Sequence, residues 1–137
     1  MKQQIPGLLS GGLITNYHCT SECRHCAYYS SPRRAKDYIT EAVAERLLRK
    51  VRELGCSSLH IGGGEPLLNP ERLLPVLDLF AEAGVGIDYI ETNSSWYKES
   101  KNGGEAEGLL KELRKRGVST LLVSISPFHA EHIPFYK

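Results

Sequence analysis

Cys19, Cys23 and Cys26 lie within eight residues, in the stretch CTSECRHC, at spacing C-x3-C-x2-C. Thiolates are soft ligands that suit iron–sulfur clusters, zinc or copper(I). A closed metal site usually takes four protein ligands. A set of three either recruits a ligand from elsewhere or leaves one coordination position open for chemistry. The loop is compact enough to wrap three corners of a cubane. His18 or His25 could instead complete a tetrahedral Cys3His zinc site, so the triad by itself leaves cluster and zinc both open. Cys56 stands apart, where a small buried hydrophobe is the expected role.

A second cluster of unusual residues is Gly62-Gly63-Gly64-Glu65-Pro66. Glycines let a backbone come close to a ligand and expose its N–H and C=O groups. A carboxylate at Glu65 can receive an ammonium group. Alone, a glycine-rich turn after a strand is a weak signal. One strand after a cysteine triad it carries more.

The elements that position these residues follow from hydrophobic spacing. A first strand is expected within Gly11–Tyr17, running into the cysteine loop. A helix follows Thr40, with Val43, Leu47, Leu48, Val51 and Leu54 on its apolar face and Gly55 as its stop. A second strand spans Ser57–Ile61 and exits into the glycine turn. The next helix is capped by Asn69, begins with Pro70, buries Leu73, Leu77, Phe80 and Ala81, and ends at Gly84. A third strand covers Gly86–Thr92. The loop SSWYKESKNGG leads to a helix over Glu105–Arg116 with Leu109, Leu110 and Leu113 inward, and a fourth strand runs from Ser119 to Ile125. Strand alternating with helix predicts an α/β fold with a parallel sheet, a partial (βα)n barrel of about four units. Ligands gather at the carboxyl ends of such strands. The cysteines, the glycines with Glu65, Thr92-Asn93 and Ser126-Pro127-Phe128-His129 follow the four strands in turn. Cys56, at the amino end of the second strand, would then lie away from the triad. A cluster there would have three irons held by cysteine and a fourth open.

CTSECRHC followed by HIGGGEPLLNP resembles the radical S-adenosylmethionine (radical SAM) superfamily. The resemblance implies a partial (β/α)6 barrel, of which residues 1–137 supply the amino-terminal portion of the core domain. The strands of the C-terminal half are expected to be absent, as in a truncated or split product or one completed by another chain; the alternative to an enzyme is then a non-catalytic remnant that binds cluster or cofactor without turning over. It implies a [4Fe–4S] cluster on Cys19, Cys23 and Cys26, with S-adenosyl-L-methionine filling the open iron. Gly62, Gly63, Gly64 and Glu65 would hold the methionine ammonium, and His25 would lie by the adenine, with Tyr28 beside it. Asn93, Ser124 and Ser126 match more loosely the polar positions around the cofactor. Ser126 stands where some members carry aspartate. The implied reaction is reductive cleavage of the cofactor to methionine and a 5′-deoxyadenosyl radical, which abstracts hydrogen from a small-molecule or peptide substrate. An electron donor of the flavodoxin or ferredoxin class is implied, and no protein acid or base is assigned.

Composition is compatible with this reading. Of the 137 residues 41% are hydrophobic and 24% charged, and the net charge of +1 gives no reason to expect nucleic acid or an anionic membrane surface as partner. The short basic stretches Arg33-Arg34 and Lys111–Arg116 read as solvated faces. No apolar run approaches the roughly 20 residues needed to span a bilayer. The start MKQQIPGLLSGGLI lacks the apolar run of a signal peptide, so a reducing cytoplasm is expected. His60 is expected to pack in the core, His129 and His132 to lie on a surface loop, and Trp96 and Tyr97 to pack against the following helix.

Overall fold

The computed structural model describes residues 7–98 and 104–134. The first six residues of the amino-terminal stretch, residues 99–103 of the loop after the third strand, and Phe135 of the stretch SPFHAEHIPF lie outside the described residues.

Four parallel strands alternate with helices. They are β1 (Gly12–Ile14), β2 (Ser58–Gly62), β3 (Gly86–Thr92) and β4 (Leu121–Val123), with α1 (Glu41–Glu53), α2 (Pro70–Ala83) and α3 (Gly104–Lys115) as the connections. A 3-10 turn, Pro66–Leu68, precedes α2, and a single helical turn, α4 (Pro127–Ala130), follows β4. The strands stand in the sheet in sequence order, β1-β2-β3-β4, so each crossover joins nearest neighbours. The sheet is open, and β4 pairs with β3 alone among the described residues. No helix among them is long and apolar enough to cross a membrane.

Helices α1, α2 and α3 pack side by side along one face of the sheet. The core lies between them: Leu13, Leu59, Ile61 and Ile90 from the strands meet Ala44, Leu48, Leu73, Val76, Leu77, Phe80 and Leu113 from the helices. Thr40 caps α1 by accepting the Val43 N–H, and Gly84 closes α2 in the left-handed conformation that glycine adopts without cost.

The opposite face of the sheet is polar. The ring of His60 stacks on Tyr89 with centroids 5.2 Å apart, and Gly12 leaves the room this ring occupies. The β2–β3 register slips by one residue, so that Leu59 faces Ile87 but Ile61 faces Ile90. This bulge sends Ile90 toward the helices and leaves Tyr89 and Glu91 on the polar face.

Several expectations need correction. β1 and β4 are shorter than the patterns suggested, because the flanking residues leave the ladder to form loops. Leu47, Leu54 and Leu110 are exposed, since α1 and α3 bury narrower stripes centred on Ala44 with Leu48 and on Leu113. Ala81 is also exposed, and Val76 takes its place in the core. Asn69 precedes α2 without a side-chain capping bond. His60 is half-buried on the polar face rather than packed in the core. Trp96 packs on the core and donates its Nε1–H to Thr92 Oγ1 at 3.0 Å, while Tyr97 is exposed. Cys56, by contrast, is fully buried as expected, with its thiol donating to Ser58 O.

Candidate cofactor site

The carboxyl ends of the strands border one open cavity of about 280 Å³. Cys19, Cys23 and Cys26 line it, together with His25, Tyr28, Ser30, Gly63, Gly64, Glu91, Asn93, Ser124 and His129. Four strand exits therefore converge there.

The cysteine loop is anchored at its start. Cys19 N–H donates to Ser31 O at 3.3 Å, and His18 and Ser31 form an isolated parallel bridge. The glycine turn holds the same segment from beneath. Gly64 N–H donates to Asn16 O at 2.8 Å and Glu65 N–H to His18 O at 3.0 Å. Asn16 Nδ2 donates in return to His18 O and Glu65 O. A Cβ on Gly64 would lie 2.1 Å from His18 O, and one on Gly63 would lie 2.6 Å from Asn16 O. Gly63 also has φ of 142°, a conformation L side chains rarely adopt. The glycines are required so that two loops can touch.

Glu65 departs from the expectation of a carboxylate turned to the ligand. It is fully buried and absent from the cavity wall. Its Oε1 accepts from Leu67 N–H at 3.1 Å and Thr92 Oγ1–H at 2.8 Å, and its Oε2 accepts from Asn93 N–H at 2.6 Å. The carboxylate joins the exit of β2 to that of β3. Burial pushes its pKa above the usual range, and the donors from Asn93, Thr92 and Leu67 pull it back in part. Gly62 likewise does not line the cavity. It ends β2, and its carbonyl accepts from Thr15 N–H and Thr15 Oγ1–H.

The carboxylate that does face the cavity is Glu91, which the sequence reading passed over. The period of the strand could have found it, since Tyr89 and Glu91 stand on the face opposite buried Ile90. Tyr28 lies nearby, and its hydroxyl pKa is raised by burial first and then by the Glu91 charge.

Asn93 spends its side chain on the protein. Its Oδ1 accepts from Ser95 N–H, and its Nδ2 reaches Cys19 Sγ at 3.3 Å. Ser124 reaches the cavity, whereas Ser126 does not line it. Ser126 instead caps α4 and bonds His129 Nδ1 at 2.7 Å. His25 faces Phe128 and His129, with ring centroids 4.8 and 5.1 Å away. His129 thus borders the cavity rather than lying on a plain surface loop, and His132 is exposed. Burial, then His25 and His132, lowers the His129 pKa.

The residues present suit a polynuclear thiolate-held group. Three of the four cysteines border one cavity, and the fourth is sealed in the core. Ser30 Oγ, at the cavity wall, is buried without a partner among the described residues. Among those residues no three His, Cys, Asp or Glu side chains, the three cysteines included, close on a single point as one metal ion would require.

A parallel α/β chain that gathers thiols, glycines and a carboxylate at its strand ends has the build of a cofactor-binding fold. Residues 13–135 match the radical SAM superfamily, and the chain belongs to it. Members of this superfamily use a [4Fe–4S] cluster and S-adenosylmethionine. Among solved structures, SuiB of Streptococcus suis bound to S-adenosylmethionine is similar, with TM-score 0.62 and 20% identity over 88% of this chain and 24% of its own. The protein anSMEcpe with bound AdoMet is similar with TM-score 0.53 and 17% identity, over 90% of this chain and 45% of its own. The chain thus spans less than half the length of either. No curated protein matches the sequence.

Replacing Gly64 by alanine forces a Cβ against the His18 carbonyl and should cost about 1–3 kcal/mol. Gly108→Ala, in open space on α3, should be neutral or stabilising by about 0.5–1 kcal/mol. Urea unfolding of the two variants checks both values. Glu65→Ala leaves three buried donors unpaired and should destabilise by about 1–3 kcal/mol. The raised pKa means that the folded chain binds this proton more tightly than the unfolded one. Glu65 therefore adds stability on the acid side that fades as pH rises through the raised value. Unfolding measured across that range should show this fading in the wild type and not in Glu65→Ala.

Proposed function

We propose that the chain is the amino-terminal part of a radical SAM enzyme core. In this reading Cys19, Cys23 and Cys26 hold a [4Fe–4S] cluster, and S-adenosylmethionine occupies the adjoining cavity. The observation that carries it is that three thiols line one cavity while the remaining cysteine, Cys56, is sealed in the core. When bound, the two groups supply a one-electron reductive cleavage that generates a 5′-deoxyadenosyl radical for hydrogen abstraction from a small-molecule or peptide substrate.

The protein's part is to hold and orient. Glu91 is the carboxylate on the cavity wall and would receive the methionine ammonium, with Gly63 and Gly64 forming the adjacent backbone surface. Glu65 supports that surface from behind. Ser124 would hydrogen-bond the ribose or the carboxylate. His25 and Tyr28 would flank the adenine. A flavodoxin- or ferredoxin-class protein would deliver the electron, and a further segment or chain would extend the sheet beyond β4.

Anaerobic reconstitution with iron and sulfide should give a brown protein with about four irons per chain. The triple Cys→Ala variant should bind none. A colourless protein carrying one zinc would sink the reading. Formation of 5′-deoxyadenosine on adding reductant and cofactor would separate a competent enzyme from a chain that only binds. Glu91→Gln removes a charge-assisted bond and should weaken S-adenosylmethionine binding by about 1.5–3 kcal/mol at unchanged iron content, measured by calorimetry.

A further inference from the structure

The amide of Asn93 can present only one end to the cysteine loop. Ser95 N–H donates to Oδ1 at 2.9 Å, which turns Nδ2 toward Cys19. Nδ2 lies 3.3 Å from Cys19 Sγ, 3.3 Å from Ser21 Oγ and 3.4 Å from Thr20 Oγ1. The backbone beneath is fixed as well, because Asn93 N–H donates to the buried Glu65 carboxylate. Both Asn93 and Cys19 are buried, so water competes little for this contact.

The three sulfurs are supported unequally. Cys19 Sγ also accepts from Ser21 N–H at 3.4 Å, giving it two N–H donors. Cys26 Sγ accepts from Ser30 N–H at 3.5 Å. Among the described residues no hydrogen bond from another residue reaches Cys23 Sγ. An electron added to a thiolate-held cluster places charge on the sulfurs, and N–H donors aimed at them stabilise it.

We propose that Asn93 is a positioning residue that clamps Cys19 and, through its N–H···S contact, raises the reduction potential of the group the cysteines hold. The proposal rests on the reading that this group is an iron–sulfur cluster. Asn93 acts through Cys19. The side-chain orientation leaves its amide no free donor directed to a cofactor beyond the loop.

The test compares reconstituted wild type, Asn93→Asp and Asn93→Ala by potentiometric titration followed by electron paramagnetic resonance, without S-adenosylmethionine. Asn93→Asp keeps the acceptor for Ser95 and replaces the donor with an oxygen, while Asn93→Ala removes the amide. Both retain the backbone bond to Glu65. At equal iron content both potentials should become more negative, with the aspartate further shifted by its charge. Unchanged potentials at full iron content would overturn the role of Asn93 and leave the cluster reading intact. A wild type that takes up no iron would overturn both. Should a variant fail to load, the metal-free folded chains decide, by iodoacetamide labelling mapped by mass spectrometry. Cys19 labelled several-fold faster than in the wild type, with Cys56 unchanged, supports the clamp. Equal rates at Cys19 overturn it.

Discussion

One buried carboxylate ties the functional end of this molecule together. Glu65 ends the glycine turn after β2, and its oxygens collect donors from Leu67, Thr92 and Asn93. Its own backbone N–H and carbonyl bond to the segment Asn16–His18 after β1. A single residue thereby joins three strand exits. A carboxyl group out of contact with water is costly unless its oxygens find donors, and here three protein donors meet them. The arrangement is stable only when all three loops are in place.

The geometry of the thiols follows from that junction. The glycine turn touches the backbone of Asn16–His18 so closely that a side chain on Gly63 or Gly64 would not fit. Cys19 begins where this contact ends, and Asn93 reaches it from the other side. Cys23 and Cys26 lie further along a loop whose far end is tied back to the segment after β1 by the His18–Ser31 bridge. The sulfur nearest the sheet is therefore the most firmly held, and the loop's outer part is freer to adjust to what it binds.

Much of this architecture was legible in the sequence, because it rests on local signals. Thr40, Gly84 and the spacing of Leu73, Leu77 and Phe80 specify helices through capping and period, and the structure forms them there. The cysteine and glycine motifs fall at strand ends because parallel α/β chains turn there. The illegible parts depend on tertiary contact. Leu47, Leu54 and Leu110 satisfy a helical period, yet each lies at the margin of a stripe whose width is set by the neighbouring element. Glu65 and Glu91 look alike as single acidic residues near strand ends. Only the packing of loops decides that Glu65 is enclosed while Glu91 meets the cavity.

The slipped register between β2 and β3 has a wider effect than its size suggests. Up to Ile87 the two strands match residue for residue, and beyond it β3 carries one residue more than its partner. That surplus reverses the parity of everything downstream. Without it Tyr89 and Glu91 would enter the apolar layer against α2, while Ile90 and Thr92 would turn outward. Glu91's charge would be stranded among leucines, and Thr92 would swing away from the carboxylate it serves. A kink of one residue thus decides which side of the sheet can do chemistry.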